Sequence, residues 1–255
     1  LIGIDVILLG KRLNINNFTP WLGKISSIIL SPGIPWDHKA LNSLRKKNIP
    51  IKGETELAWE DLKHIPTIGV TGTNGKTTVT HMLNHVLQRN GLSTDIGGNV
   101  GKALSQIACN FKQKNYQNLN WLVIELSSYQ IESSPNITPS IGIWTTFTPD
   151  HLERHKDIDS YFKIKKSLLE RSSTRIYNSD DEYLCKRRNE LPEGIWVGIN
   201  SQSSYSHQPK FWVDDQGFIF ENSTKLFNTS KLNLLGKHNL QNLLIVTAAI
   251  RELGL

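Results

Sequence analysis

Cysteine is scarce in this 255-residue sequence: only Cys109 and Cys185 occur, far apart. Two isolated thiols exclude a disulfide framework or a cysteine zinc site and favour a reducing compartment. No apolar run reaches the ~18 residues of a membrane span, and nothing resembles a signal peptide. A soluble, cytoplasmic protein with no membrane partner is therefore expected. Internal repeats and low-complexity tracts are missing. The net charge is +6, with a pI near 9.2, but the basic residues are scattered. The clusters Arg45-Lys46-Lys47 and Lys186-Arg187-Arg188 lack interleaved aromatics, so they read as solvated helix faces and no nucleic-acid partner is expected. An initiator methionine is lacking too. The chain starts at Leu1 with "IDVILLG", as though entered in the middle of a fold, and "LIVTAAIRELGL" stops where a helix meets its glycine. A fragment is expected on both counts.

What is present alternates between short strands and helices. At this length the chain can hold one large domain or one and a half ordinary ones. Residues 1–62 carry "VILLG", "SSIILSPGIP" and "IPIKG", with "HKALNSLRKKN" as a short amphipathic helix ending at Asn48. That is part of a smaller α/β unit. The pattern resets around "AWEDLKHIPT", and residues 63–255 read as a larger domain. There a helix runs to about Asn90, "GLSTDIGGNVG" forms a second glycine-rich loop, and another helix spans about Lys102 to Gln113. "NWLVIELSS" is apolar on both faces up to Glu125, as suits a central parallel strand covered on both sides. "SIGIWTTFTPDHLERH" repeats the design, a helix follows from about Asp159 to Arg171, and "TRIYNSDD" gives another strand. "GIWVGIN" and the hairpin-like "KFWVDDQGFIF" suggest antiparallel pieces near an edge. The fold class is α/β: a central, mostly parallel sheet flanked by helices, preceded by part of a smaller Rossmann-like domain.

The stretch "IGVTGTNGKTTVTHML" at 68–83 runs from a strand through a glycine-bounded loop into a helix. A polyphosphate with its magnesium fits it, because bare backbone N–H groups and a helix N-terminus attract anions. Lys76 would reach the terminal phosphates and Thr77 would bind Mg²⁺. The match to G-x-x-x-x-G-K-[ST] is imperfect: Val70 stands where a glycine is wanted, and Gly72 comes two places later. A G-K-T triplet also arises in ordinary turns. The flanking strand and the apolar spacing Val79, Met82, Leu83, Val86, Leu87 weigh against that reading.

Ligands of open parallel sheets sit beyond the carboxyl ends of the strands. Gly72 to Thr78, Glu125 with Ser127, and Asp150 with His151 hold that position on three strands, so they should converge. Glu125 could instead cap a helix or pair with a lysine, although a buried unpaired carboxylate is costly. His151 alone could be a satisfied loop histidine; beside Asp150 at the mouth of a phosphate site it becomes a candidate ligand. In "DSYFKIKKSLLER", at ~100° per residue, Tyr161, Ile164, Lys165 and Leu168 form one stripe. Lys165 therefore points inward. It could snorkel along its own methylenes, or it could be desolvated with a lowered pKa that frees its amine.

Together "TGTNGKTT", "GGNVG", "ELSSYQIE", "TPDHLERH", "YFKIK" and "LLGKHNLQN" stand in the order and spacing of the Mur ligases of peptidoglycan synthesis. "ELSSYQIE" resembles the D-glutamate-adding branch, and "SPGIP" and "IKGETELAW" extend the resemblance into the first part. It implies an ATP-dependent ligase of three domains, here lacking the extreme N-terminus and the C-terminal amino-acid-binding domain. Its substrates would be UDP-N-acetylmuramoyl-L-alanine and D-glutamate, joined through an acyl phosphate, and the protein would be a monomer. Gly72, Thr73, Asn74, Gly75, Lys76, Thr77 and Thr78 would cradle ATP, while Asn239 and Asn242 would contact adenine. Thr77 would ligate one Mg²⁺, Glu125 and His151 a second, and a carbamylated Lys165 would help hold the metals. Lys76, Glu125, His151 and Lys165 would be the catalytic set. Asn99 and Ser127 would contact substrate, and Gly33 would border the uridine site.

The resemblance further implies that this chain alone binds ATP·Mg²⁺ weakly and forms little product. Other amino-acid-adding Mur ligases and the folylpolyglutamate synthases share the phosphate loop, so they remain alternatives. A non-catalytic nucleotide module or switch GTPase is a further one: "DIGG" at 95–98 mimics a D-x-x-G element, but no guanine-reading N-K-x-D occurs.

Overall fold

The computed structural model describes residues 13–113, 119–199, 208–232 and 236–255; the strand read at "VILLG" lies outside them. Strands β1 (Ile28–Leu30) and β2 (Ile51–Gly53) form a two-stranded parallel sheet, joined through helix α1 (Lys39–Arg45). Ala40, Leu41 and Leu44 of α1 close over Leu30 and Phe18 to make a small core of their own. The helix stops at Arg45, short of Asn48. Asn48 is left-handed at φ 57°, a conformation that asparagine tolerates and that turns the chain out of the helix.

Helix α2 (Glu54–Leu62) leads into the second sheet. Its elements are β3 (Thr67–Thr71), α3 (Lys76–Arg89), β4 (Thr94–Gly98), α4 (Leu104–Lys112), β5 (Trp121–Glu125), α5 (Ser128–Glu132) and β6 (Ile141–Trp144). There follow α6 (Leu152–His155), α7 (Ile158–Glu170), β7 (Thr174–Asn178), α8 (Glu182–Lys186), β8 (Ile195–Gly198), β9 (Phe211–Val213), β10 (Phe218–Glu221), β11 (Thr224–Asn228) and α9 (Lys237–Glu252). Among the described residues the sheet has nine strands in the order β11-β10-β9-β8-β7-β6-β3-β5-β4. All neighbours from β4 to β9 run parallel, and only β10 and β11 are antiparallel.

Two expectations are corrected here. The stretch read throughout as a glycine-rich loop contains β4, because Thr94 to Gly98 pair in register with Trp121 to Glu125; tertiary pairing overrides the poor strand propensity of glycine. "GIWVGIN" is not antiparallel either. The helix α8 lies between β7 and β8 and supplies the crossover that a parallel pair needs. The hairpin read in "KFWVDDQGFIF" is present as β9 and β10, turning near Gly217 at φ 79°.

Helices cover both faces. Val79, Leu83 and Leu87 of α3 pack with Leu244, Ile245 and Ala248 of α9 on Ile68, Val70, Val123 and Ile143. On the other face Trp59, Ile107, Phe162 and Leu168 pack on Leu122, Ile124, Trp144 and Tyr177. Burial of each such side chain contributes about 1.5–3 kcal/mol. The central strands are thus a rigid platform, and the loops at their carboxyl ends inherit that rigidity.

Candidate functional site

Strands β5, β3 and β6 are immediate neighbours, so the loop after β3, the end of β5 and the loop after β6 meet at one sheet edge. Beyond them opens a cavity of about 510 Å³, lined by Gly72, Lys76, Asn99, Ser127, Asp150, His151 and Lys165, and also by Pro32 and Glu54. Glu125 lies just beneath it, 1% exposed.

The displaced glycine of the phosphate loop has a steric cause. Val70 is fully buried in β3, whereas Gly72, at φ 150°, lies so close to the loop after β6 that a Cβ would sit 2.0 Å from Thr145 Oγ1. The same loop holds the next residues: Thr73 N donates to Thr146 O at 2.8 Å, Asn74 N to Thr146 Oγ1 at 2.9 Å, and Thr145 Oγ1 to Asn74 O at 2.5 Å. The amides of Thr73 and Asn74 are therefore occupied and not presented to an anion, contrary to the expectation for the whole stretch. The first helical amide bond is Val79 N to Gly75 O, 3.0 Å, which leaves the N–H groups of residues 75–78 at the helix N-terminus as the anion-facing set. Lys76 Nζ reaches back to Gly72 O at 3.0 Å and Thr73 O at 2.9 Å. Burial lowers its pKa, with Glu125 and Asp150 opposing.

Glu125 neither caps a helix nor pairs with a lysine. It accepts from Thr77 Oγ1 and from Asn99 Nδ2, each at 2.8 Å. Lys165 is 1% exposed and does not snorkel. Its Nζ donates to Thr71 Oγ1 at 3.2 Å and Gly72 O at 2.9 Å, 4.9 Å from the centre of the Tyr161 ring. Burial, and then the charge of Lys76, lower its pKa to about 7, so much of the amine is uncharged at neutral pH.

His151 is half-exposed, 3.4 Å from Asp150 Oδ2, and stands at φ 51°. A left-handed backbone at a non-glycine residue is strained and clusters at functional sites. Ser127 lines the cavity while capping α5 through Gln130 N. Asn242 is buried against the phosphate loop, where a Cβ on Gly75 would meet its Oδ1 at 2.7 Å. Asn239 is one turn earlier on α9 and does not line the cavity. Gly33 is exposed and off the cavity wall, where its neighbour Pro32 stands instead.

Sequence reasoning missed Thr146, Tyr129 and His155. His155 is buried, pairs through Nε2 with Ser128 Oγ at 2.8 Å, and stacks on Tyr161 at 5.2 Å. Burial, then the charges of Arg154 and His151, push its pKa down to about 4, so it is neutral at physiological pH. Its spacing of four residues from His151 in "HLERH" was the available signal.

The donor set fits one magnesium ion. Thr77 Oγ1 and Glu125 Oε2 are 2.8 Å apart, near the ~3 Å edge of an octahedron with bonds of 2.0–2.1 Å. A second ion fits less readily. Among the described residues no group of three or more His, Cys, Asp or Glu side chains gathers to hold either ion; a first ion would complete its shell with water and phosphate oxygens, while for a second, Lys165 as an amine offers no oxygen.

Residues 70–250 match the family model of the Mur ligase middle domain. The chain is 65% identical over 253 residues to the UDP-N-acetylmuramoylalanine–D-glutamate ligase of Prochlorococcus marinus strain NATL2A, covering 99% of this chain and 54% of that protein. The protein of the same name from strain MIT 9313 is 51% identical over 247 residues, covering 97% and 54%. The chain thus spans about half the length of the curated relatives it matches. Among solved structures, a UDP-N-acetylmuramoyl-L-alanyl-D-glutamate–2,6-diaminopimelate ligase superposes with a TM-score of 0.64 at 17% identity, covering 91% of this chain and 58% of that one. A ligase of Thermotoga maritima solved with ADP superposes with a TM-score of 0.57 at 16% identity, covering 91% and 62%.

Proposed function

Since the chain belongs to the Mur ligase family, we propose that it takes part in the ATP-driven joining of D-glutamate to UDP-N-acetylmuramoyl-L-alanine in cytoplasmic peptidoglycan precursor synthesis. What carries this reading is the gathering of Lys76, Glu125, His151 and Lys165 around one cavity at the ends of β3, β5 and β6. Residues 1–62 would form part of the domain that receives the UDP substrate, and 63–255 the ATP-binding domain. The separate small core over β1 and β2 supports that division.

In the proposed reaction the alanyl carboxylate attacks the γ-phosphorus of ATP, the bond to the bridging oxygen breaks, and ADP leaves. The amine of D-glutamate then adds to the acyl phosphate, the tetrahedral intermediate expels phosphate, and the ammonium loses a proton. This chain contributes mainly position and charge. The amides of residues 75–78 and the Lys76 ammonium would hold the polyphosphate, and Asn242 would brace the loop from behind. Because Glu125 Oε2 lies 2.8 Å from Thr77 Oγ1, Glu125, expected to serve a second ion, would instead hold the first Mg²⁺ together with Thr77, and that ion would spread the charge of the transferring phosphoryl group. His151 would ligate a second ion at the cavity mouth.

A Lys165 amine with pKa near 7 can take up CO₂; the resulting carbamate would complete the oxygen donors that the second ion lacks. Ser127 and Asn99 would face the substrate. The working unit would be a monomer, and no membrane attachment is needed for this chemistry.

Phosphate release measured in a protein spanning the full length of the relatives tests the proposal. Turnover should require ATP, Mg²⁺, UDP-N-acetylmuramoyl-L-alanine and D-glutamate together. Equal turnover with another amino acid would move the assignment to a different branch of the family. A preference for GTP in competition with ATP would favour a switch module instead.

A further inference from the structure

The cavity lining comes from two sheets, and only the part from the larger one is accounted for by phosphate and metal chemistry. The part from the smaller sheet includes Pro32, just beyond β1, and Glu54, just beyond β2. Both thus lie past the carboxyl ends of the parallel strands of the small sheet, the position where such sheets take ligands. One continuous cavity joins these two strand ends to those of β3, β5 and β6.

Glu54 is held in an unusual way for the first residue of a helix. It opens α2, with Gly53 as the N-cap and no side-chain cap bond, yet its Oε1 leaves its own helix and accepts from Ser105 N of α4 at 2.7 Å. That bond satisfies one of the orphan amides at the start of α4 and fixes the carboxylate plane. Among the described residues its other oxygen receives only the long 3.3 Å contact from the neighbouring Thr55 Oγ1, so this cavity-lining residue keeps acceptor capacity. Pro32 and Ala103, which also line the cavity, offer no side-chain donor or acceptor. Nearby, Asn99 Nδ2 is committed to Glu125.

We propose that Glu54 is a specificity-determining residue, whose free carboxylate oxygen accepts a hydrogen bond from a hydroxyl or amide N–H of the glycan portion of a nucleotide-linked sugar substrate. This rests on the reading of the cavity as a UDP-sugar site. The acceptor is a fixed anion, so it selects neutral donors and repels a phosphate or carboxylate at that point. Phosphate-bearing ends of the ligand are thereby directed elsewhere, and the sugar lies between Glu54 and the phosphate loop.

Glu54→Gln separates this role from a structural one. The glutamine oxygen can keep the Ser105 N bond, and that bond turns the amide NH₂ toward the cavity, where a donor now faces a donor. In a protein spanning the full length of the relatives, calorimetric titration should show an approximately tenfold loss of affinity for UDP-N-acetylmuramoyl-L-alanine, on the scale of one bond to a charged group. Affinity for UDP alone, KM for ATP and Tm should stay at wild-type values.

Glu54→Ala, which also removes the α4 bond, should lower Tm in addition. Equal affinity of wild type and Glu54→Gln for the UDP-sugar overturns the proposal. So does an equal loss for UDP and UDP-sugar, or a selective rise in KM for D-glutamate, which would place an ammonium there. A wild-type protein that binds the UDP-sugar no more tightly than UDP would instead overturn the functional reading beneath it.

Discussion

Two lysines tie a helix to the same sheet and meet opposite fates. Lys165 of α7 reaches the end of β3 at the buried centre, with only neutral oxygens as hydrogen-bond partners. Lys210, at the start of β9 near the antiparallel edge, meets Glu252 of α9 at 2.8 Å and Glu221 at 3.5 Å, with about a third of its side chain exposed. The first has its pKa pushed down to about 7 by burial; the second is raised by its bond to Glu252. Charge pairing in water keeps a lysine an ordinary cation. Burial against uncharged oxygens makes it an amine with chemistry available, and the fold bears the cost of holding it there.

Lys165→Met should break that contrast most visibly. If Lys165 serves the reaction, phosphate release in the full-length protein should fall about a hundredfold or more, the scale of losing one preorganised electrostatic group, and added bicarbonate should restore nothing. Stability should move the other way. Thr71 Oγ1 still donates to Leu126 O, and Gly72 O still accepts from Lys76, so the substitution strands neither.

The folded pKa of about 7 lies below the ordinary 10.5. Below pH 7 both states carry the proton, and the folded state bears the full penalty of a buried ammonium. Between 7 and 10.5 the unfolded chain binds more protons, so wild-type stability rises with pH. The Tm gain of Lys165→Met should therefore be largest near pH 6 and shrink toward pH 10. A gain independent of pH, or retained turnover, would make Lys165 an ordinary buried stem.

A smaller effect sharpens the same comparison on the neutral side of the site. Thr146→Val removes the acceptor for Asn74 N while keeping the Thr73 N to Thr146 O bond. One neutral hydrogen bond is worth about 1 kcal/mol, so KM for ATP should rise about fivefold with kcat little changed. Thr146→Ser should recover it. An unchanged KM in Thr146→Val would mean that the phosphate loop holds its shape through Thr145 and Gly72 alone.

Much of this geometry was legible in advance because it follows from periodicity. Helical phase alone placed Lys165 inward with Tyr161 and Leu168, and an apolar run on both faces marked β5 as a parallel strand covered on both sides, although it stands next to the edge strand β4 and not at the centre of the sheet. Residues whose roles depend on partners distant in sequence were not legible. Thr146 acts on Asn74 from 72 positions away, and Glu54 meets Ser105 from 51 positions away; no local pattern encodes either contact. The amides of Thr73 and Asn74 looked free for the same reason. β4 was hidden by its glycines, since only pairing with β5 makes that stretch a strand. Gly33, expected to border a uridine site, does not line this cavity, whereas its neighbour Pro32 does.

The smallest effect is expected at the edge. Lys210→Met dissolves the contacts to Glu252 and Glu221, but Glu221 keeps Arg251 at 3.0 Å, so one carboxylate retains a partner and the other is at the surface. Exposed pairs of this kind contribute about 0–1 kcal/mol and are screened by salt. The loss in stability should fall within that range and shrink further in high salt. A raised lysine pKa contributes below the ordinary value of 10.5 and is lost only above it. The loss should therefore be flat from pH 6 to pH 9, the window in which Lys165→Met slopes. Full-length turnover should be unaffected. If both substitutions produced the same pH slope, burial would not be what separates the two lysines, and the case for Lys165 as a reactive amine would lose its physical basis.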